Sequence, residues 1–205
     1  MSRKELKEKA KEQLGGSIFS QNWLYAVLAV VVYMVIISVV GAIPGVGSAI
    51  IIIFSGALEF GLVYVFLKQA RDGEKIEIGN LFKGFTEDFK GNFILGLLIT
   101  IFVSLWSLLF IIPGIVKAYA YSMSFYIKND HPEFNWKNCI DESQRIMNGH
   151  KMELFVLQLS FIGWAIVGAL CLGVGTFWVQ AYMNATMVQF YESIKDDGVA
   201  EVAVE

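Results

Sequence analysis

Glu59 lies near the middle of a long apolar run, in the string Ser55-Gly56-Ala57-Leu58-Glu59-Phe60-Gly61. An acidic side chain at the centre of a membrane helix costs roughly 2.5–3.5 kcal/mol on insertion scales, so such groups face a bundle interior and take a partner. Lys117, one turn beyond Pro113, is the basic residue in a comparable helical setting. A Glu59–Lys117 pair would be a neutral unit inside the bundle, a candidate intramembrane polar site of the kind that lines a transport path. The structural alternative keeps Glu59 protonated and hydrogen-bonded to backbone or a tyrosine, with Lys117 snorkelling to the interface. Gly56 and Gly61 flank Glu59 and favour close helix packing in either case.

Other polar groups fall in the last apolar stretch, where Gln158, Ser160, Gln180, Asn184 and Gln189 either bond between helices or line a wet cavity. Tyr119, Tyr121, Tyr126, Trp164, Trp178, Tyr182 and Tyr191 read as interface anchors, with a substrate path as the alternative. No phosphate-cradling glycine loop, paired-histidine helix or serine elbow is present, so the sequence offers no catalytic residue and no cofactor. His131 and His150 have no Cys or His at metal-ligand spacing. Cys139 and Cys171 are expected on opposite sides of a membrane, which rules out their pairing. The basic residues are interleaved with acids, which argues against nucleic acid as a partner.

The elements that must hold these groups follow from composition. Of 205 residues, 56% are hydrophobic and 17% charged, and the charges come in blocks. The apolar runs are about 16 to 21 residues long, near the roughly 20 residues that cross a hydrocarbon core about 30 Å thick. Lipid leaves the backbone no hydrogen-bond partners, so each crossing must be a helix. Three times the same layout recurs: a charged run, an apolar span, a tight turn and a second span. Trp23, Phe93 and Leu154 open the first spans; Ile43-Pro44-Gly45, Ile112-Pro113-Gly114 and Leu172-Gly173-Val174-Gly175 are the turns. The second spans stop at Lys68–Gly73, Lys128–Pro132 and Lys195–Gly198. The expected fold is all-α integral membrane: six transmembrane helices as three tandem helical hairpins, with repeat units of about 1–73, 74–132 and 133–197 in one polytopic domain.

Each hairpin is preceded by an expected cytoplasmic amphipathic helix. Leu6, Ala10 and Leu14 mark the apolar face of the first, Leu81, Phe82, Phe85 and Phe89 of the second, and Trp136, Cys139, Ile140, Ser143 and Met147 of the third. Five basic residues precede the first span, five lie between Lys68 and Lys90 and four between Lys128 and Lys151, whereas Lys117 alone falls on the turn side. The positive-inside rule then puts both termini in the cytoplasm of a multi-pass cell-membrane protein. The charged N-terminus has no cleavage-site pattern, so the first span is expected to persist. Residues 198–205 read as a disordered acidic tail.

Several strings resemble one known family. Lys7-Glu8-Lys9-Ala10-Lys11, Leu81-Phe82-Lys83-Gly84-Phe85, Ile112-Pro113-Gly114-Ile115, Ser143 with Met147, Gly149, His150 and Lys151, then Leu159–Trp164 and Phe190-Tyr191-Glu192 occur in the order of the bacterial integral membrane proteins catalogued as domain of unknown function 975. The likeness runs from about Lys7 to Ile194. It implies membrane location and a bacterial source, mainly Gram-positive, and carries over no catalytic or binding residue. Ala181-Tyr182 stands where relatives would have Pro-Tyr, which implies a straighter last helix. Arg145, His150 and Lys151 form a candidate cytoplasmic rim for anionic lipid headgroups or a peptide, unless they simply mark the headgroup boundary.

Two functions fit these residues. The first is a non-enzymatic scaffold or accessory unit that binds membrane lipids or a membrane or cytoplasmic protein partner. The second is a transporter, channel or exporter component built around Glu59 and Lys117.

Overall fold

The computed structural model describes residues 1–170 and 173–196; Cys171 and the expected tail at 198–205 lie outside the described residues. Among the described residues all regular secondary structure is helical, with no strand. It runs α1 (Arg3–Gln13), α2 (Gln21–Gly41), α3 (Gly47–Asp72), a 3-10 turn (Ile78–Phe82), α4 (Lys83–Thr86), α5 (Phe89–Leu109) and α6 (Ile111–Tyr121). Then follow α7 (Ser124–Asp130), α8 (Trp136–Ile146), α9 (Lys151–Leu159), α10 (Ile162–Leu170) and α11 (Gly175–Ile194).

Local chemistry sets these boundaries. Ser2 and Glu5 close a reciprocal capping box at the start of α1, and Ser20 and Asn135 accept backbone N–H groups at the starts of α2 and α8. Gly73 ends α3 at φ 67°, a left-handed conformation that glycine adopts without a Cβ penalty. Pro113 sits in the first turn of α6, where its missing N–H removes no helical bond.

Helix α3 is the centre of the packing. It touches α2, α4, α5, α7, α11 and the 3-10 turn, and from Gly56 to Gln69 most of its residues are buried. At 26 residues it is ~39 Å long, more than a bilayer core requires. The opposite pattern holds around the helix–helix turns. Leu108 is 84% exposed, Ile111 and Ile112 75%, and Leu170 79%, a concentration of apolar surface that water does not support and lipid does.

Four helical stretches are long and apolar enough to cross a membrane: Gln21–Gly41, Gly47–Asp72, Phe89–Leu109 and Lys151–Leu170. The other two expected crossings differ for identifiable reasons. The one after Pro113 is split into α6 and α7, and Ser143 of α8 occupies the break, accepting from the Met123 N–H at 3.2 Å and donating to the Ala120 carbonyl at 2.8 Å. The last, α11, is diluted by Gln180, Asn184, Gln189 and Glu192, yet it runs unbroken through Ala181-Tyr182.

Of the expected amphipathic segments, α1 buries Leu6 and Ala10, with Leu14 buried at its cap, and α8 buries Cys139, Ile140, Ser143 and Ile146. The second is a correction: in place of one helix there is a 3-10 turn followed by four residues of α4. Close docking explains it. A Cβ on Gly84 would sit 2.0 Å from the Ala57 carbonyl oxygen, and one on Gly61 would sit 1.8 Å from that of Leu81, so the segment's backbone lies directly on α3. Its phenylalanines continue a row of ring contacts into α5, Phe82–Phe85–Phe89–Phe93, with Phe54 of α3 against Phe85 and Phe89.

Candidate functional site

Glu59 sits between two close backbone approaches on α3. Gly56 meets α5 so tightly that a Cβ there would lie 2.2 Å from the Asn92 carbonyl oxygen, and two residues beyond Glu59 comes the Gly61 contact with Leu81. Glu59 is a half-buried residue, and its carboxyl accepts a hydrogen bond from the Tyr33 hydroxyl of α2 at 3.2 Å. Its environment is therefore a hydrogen-bonding tyrosine within a glycine-lined seam, the arrangement that fixes helix packing.

Lys117 is elsewhere. Its ammonium donates to Gln144 Oε1 of α8 at 3.0 Å and lies 5.5 Å and 5.7 Å from the Trp106 and Tyr121 ring centres, within cation–π range. The expected Glu59–Lys117 pair does not form: Glu59 bonds to α2, whereas Lys117 reaches α8.

The rim residues surround the turn between α8 and α9. Arg145 forks onto Glu142, one arm at 2.8 Å, and His150 Nδ1 lies 2.9 Å from Glu153 Oε2. Lys151 opens α9. Arg145 and His150 thus both engage carboxylates three residues away on their own segment.

A different polar constellation joins more of the fold. Arg71, in the last turn of α3, donates from Nη1 and Nη2 to the Asp130 carboxylate at 2.6 and 2.8 Å. It also donates from Nε and Nη2 to Glu192 Oε1 of α11 at 2.8 and 2.6 Å. Tyr191 donates to Asp130 Oδ2 at 2.8 Å, and Lys195 pairs with Glu192 at 2.6 Å. Bidentate, charge-assisted contacts of this type are the strong ones among ion pairs.

Below α5 a second lysine is fully used. Lys128 is 3% exposed and directs its ammonium to Asp88 Oδ2 at 2.7 Å and to the Pro132 and Phe134 carbonyls at 2.8 Å. Asp88 caps α5 at a φ of 44°, accepting from the Gly91 N–H at 3.0 Å. Partial burial opposes its charge, but Lys128 and Gly91 hold its carboxyl below the usual aspartate range. Sequence reading used Arg71, Lys128 and Asp130 only as span ends. The signal was their recurrence: a basic residue with a nearby aspartate closes each second span.

These observations define an all-helical protein with apolar helices of membrane-spanning length, organised around α3. The chain belongs to the family described as protein of unknown function (DUF975), which matches residues 1–120 and 110–197. No curated protein and no solved structure matches it.

Proposed function

We propose that the chain is a multi-pass membrane protein of three tandem helical pairs, α2/α3, α5/α6–α7 and α9–α10/α11; the first two cross as full hairpins, while the third turn lies beside the loop before α2, where Trp178 donates to the Ile18 carbonyl. Both termini are cytoplasmic, and the protein acts as a non-enzymatic scaffold or accessory unit that holds lipid or a membrane partner. The observation that carries this reading is the Arg71–Asp130–Glu192 junction. Each residue comes from the last turn of the second helix of its hairpin, so one guanidinium ties all three units at one end. A scaffold needs this fixed geometry. The concentration of basic residues before α2 and in the two long linkers supports the orientation. Gentle extraction into native nanodiscs tests the role: a defined lipid or protein should co-purify, and recovery with neither would argue against it.

A second reading, transport, draws on another observation. Asn92 Oδ1, Ser124 Oγ and Asn129 Oδ1 are buried without a partner on α5 and α7, which pack against α3. Unpartnered buried acceptors are costly and commonly hold water or a solute. In this reading Glu59 works with these groups and not with Lys117. Solute or ion flux in liposomes that disappears with Glu59→Gln would favour it, and flux that persists would exclude Glu59 from any path.

A further inference from the structure

A groove of about 460 Å³ runs between the loop before α2 and the α10/α11 pair, with Lys11, Trp23, Trp164, Val167, Trp178 and Tyr182 among its walls. That is the size of a site for one small ligand, and its walls are apolar except at one end. There Lys11 sits 5.9 Å from the Tyr182 ring centre, while Trp178 Nε1 donates to the Ile18 carbonyl at 3.0 Å and Tyr182 to that of Lys7 at 3.1 Å, fixing the wall. Trp23 is 4% exposed and its indole N–H has no acceptor. In the same wall Gly168 of α10 packs closely on Gly175 of α11.

A row of basic residues on α1 stands beside the groove. Arg3, Lys7 and Lys11 recur at every fourth residue along one stripe of α1. Burial, with the Lys11 and Arg3 charges next to it, pushes the Lys7 ammonium below the ordinary lysine range. Lys7 donates to the Ser160 carbonyl at 3.1 Å and lies 4.1 Å from the Phe161 ring centre, neither of which is a counter-charge. The neighbouring acid, Glu8, lies 3.8 Å from Lys4.

We propose that this groove seats an acyl chain of an anionic phospholipid, whose phosphate rests against Lys11 with Lys7 beside it. The apolar walls match a lipid tail, and Lys11 with Lys7 supplies the positive charge that an anionic headgroup requires. Basic pockets between membrane helices recognise anionic headgroups on this principle. The site deepens the lipid-holding role above and rests on the reading that these helices lie in a membrane.

Tryptophan quenching by lipids with brominated acyl chains tests it, in a Trp106→Phe/Trp136→Phe background that leaves Trp23, Trp164 and Trp178 as reporters. Small fractions of brominated phosphatidylglycerol in unlabelled phosphatidylcholine vesicles should quench more than the same fraction of brominated phosphatidylcholine. Lys11→Glu should lower that preference about fivefold, while Lys4→Glu, with the same change in net charge, should leave it intact. Retained helical circular dichroism in both variants separates loss of the site from loss of the fold. Equal quenching by the two lipids, or equal effects of the two variants, overturns the site, including the case in which a partner helix fills the groove. Quenching by neither lipid overturns the membrane reading itself.

Discussion

Arg71 and Asp130, separated by 59 positions in sequence, meet as a two-armed fork, Nη1 to Oδ1 at 2.6 Å and Nη2 to Oδ2 at 2.8 Å. Glu192 takes the remaining face of the same guanidinium. Arg71 is 37% exposed and Asp130 16%, so solvent screens part of the attraction. Arg71→Ala should cost about 1–2 kcal/mol. Arg71→Lys should recover little, because an ammonium cannot make the planar fork. A double-mutant cycle with Asp130→Asn, read by thermal unfolding in detergent, measures the coupling, and additive effects would show that the two residues stabilise independently.

Gly61 is where α3 and the segment after it press closest. Gly61→Ala places a methyl 1.8 Å from the Leu81 carbonyl oxygen, and the backbone must shift at a cost of about 1–3 kcal/mol. Gly79→Ala, in the same linker but with nothing within 4 Å of the new Cβ, should stay within about 0.5 kcal/mol of the parent. Matching losses at both positions would mean that close docking is not what glycine provides at Gly61.

Asp88 predicts an acid-sensitive contribution. Its folded carboxyl titrates below the usual range, so its stabilisation is fully present above that range and fades as pH falls through the depressed value. The melting-temperature gap between wild type and Asp88→Asn should be constant from neutrality to about pH 5 and close below it. Lys128→Met should remove that gap and also strand the two carbonyls that its ammonium serves, at about 2 kcal/mol. A gap that widens in acid contradicts the assignment.

Cys139 is buried on α8, and desolvation pushes its thiol up to about 11. In a Cys171→Ser background, maleimide labelling of folded protein near neutral pH should be slower on the order of a hundredfold than in denaturant. Rapid labelling of the folded protein would mean that α8 leaves α6 and α7 readily.

Much of the fold was legible because the solvent imposes it. Apolar runs bounded by charged blocks mark α2, α3 and α5 directly, and the Pro113 and Gly73 boundaries follow from backbone chemistry. The α6–α7 break was not legible, since it depends on Ser143, twenty residues later in the chain, satisfying the Met123 N–H. The segment at 78–86 misled by its phenylalanine spacing, which suits a helix face, whereas contact with α3 at Gly84 dictates its backbone. Glu59 was found because a carboxylate in an apolar run stands out. Its partner was not, because a tyrosine hydroxyl in another apolar run gives no charge signal. Pairing by elimination chose Lys117, and elimination ignores which helices are neighbours.

Membrane topology tests the central claim most directly. In a Cys139→Ser/Cys171→Ser background, single cysteines at Val46 and Ile111 mark the first two turns, and others at Glu74 and Glu133 mark the two long linkers. Labelling of intact cells with a membrane-impermeant maleimide should reach both turn positions, and the linker positions only after permeabilisation. Protection of either turn from outside, or labelling of either linker in intact cells, would contradict two full hairpins with cytoplasmic linkers.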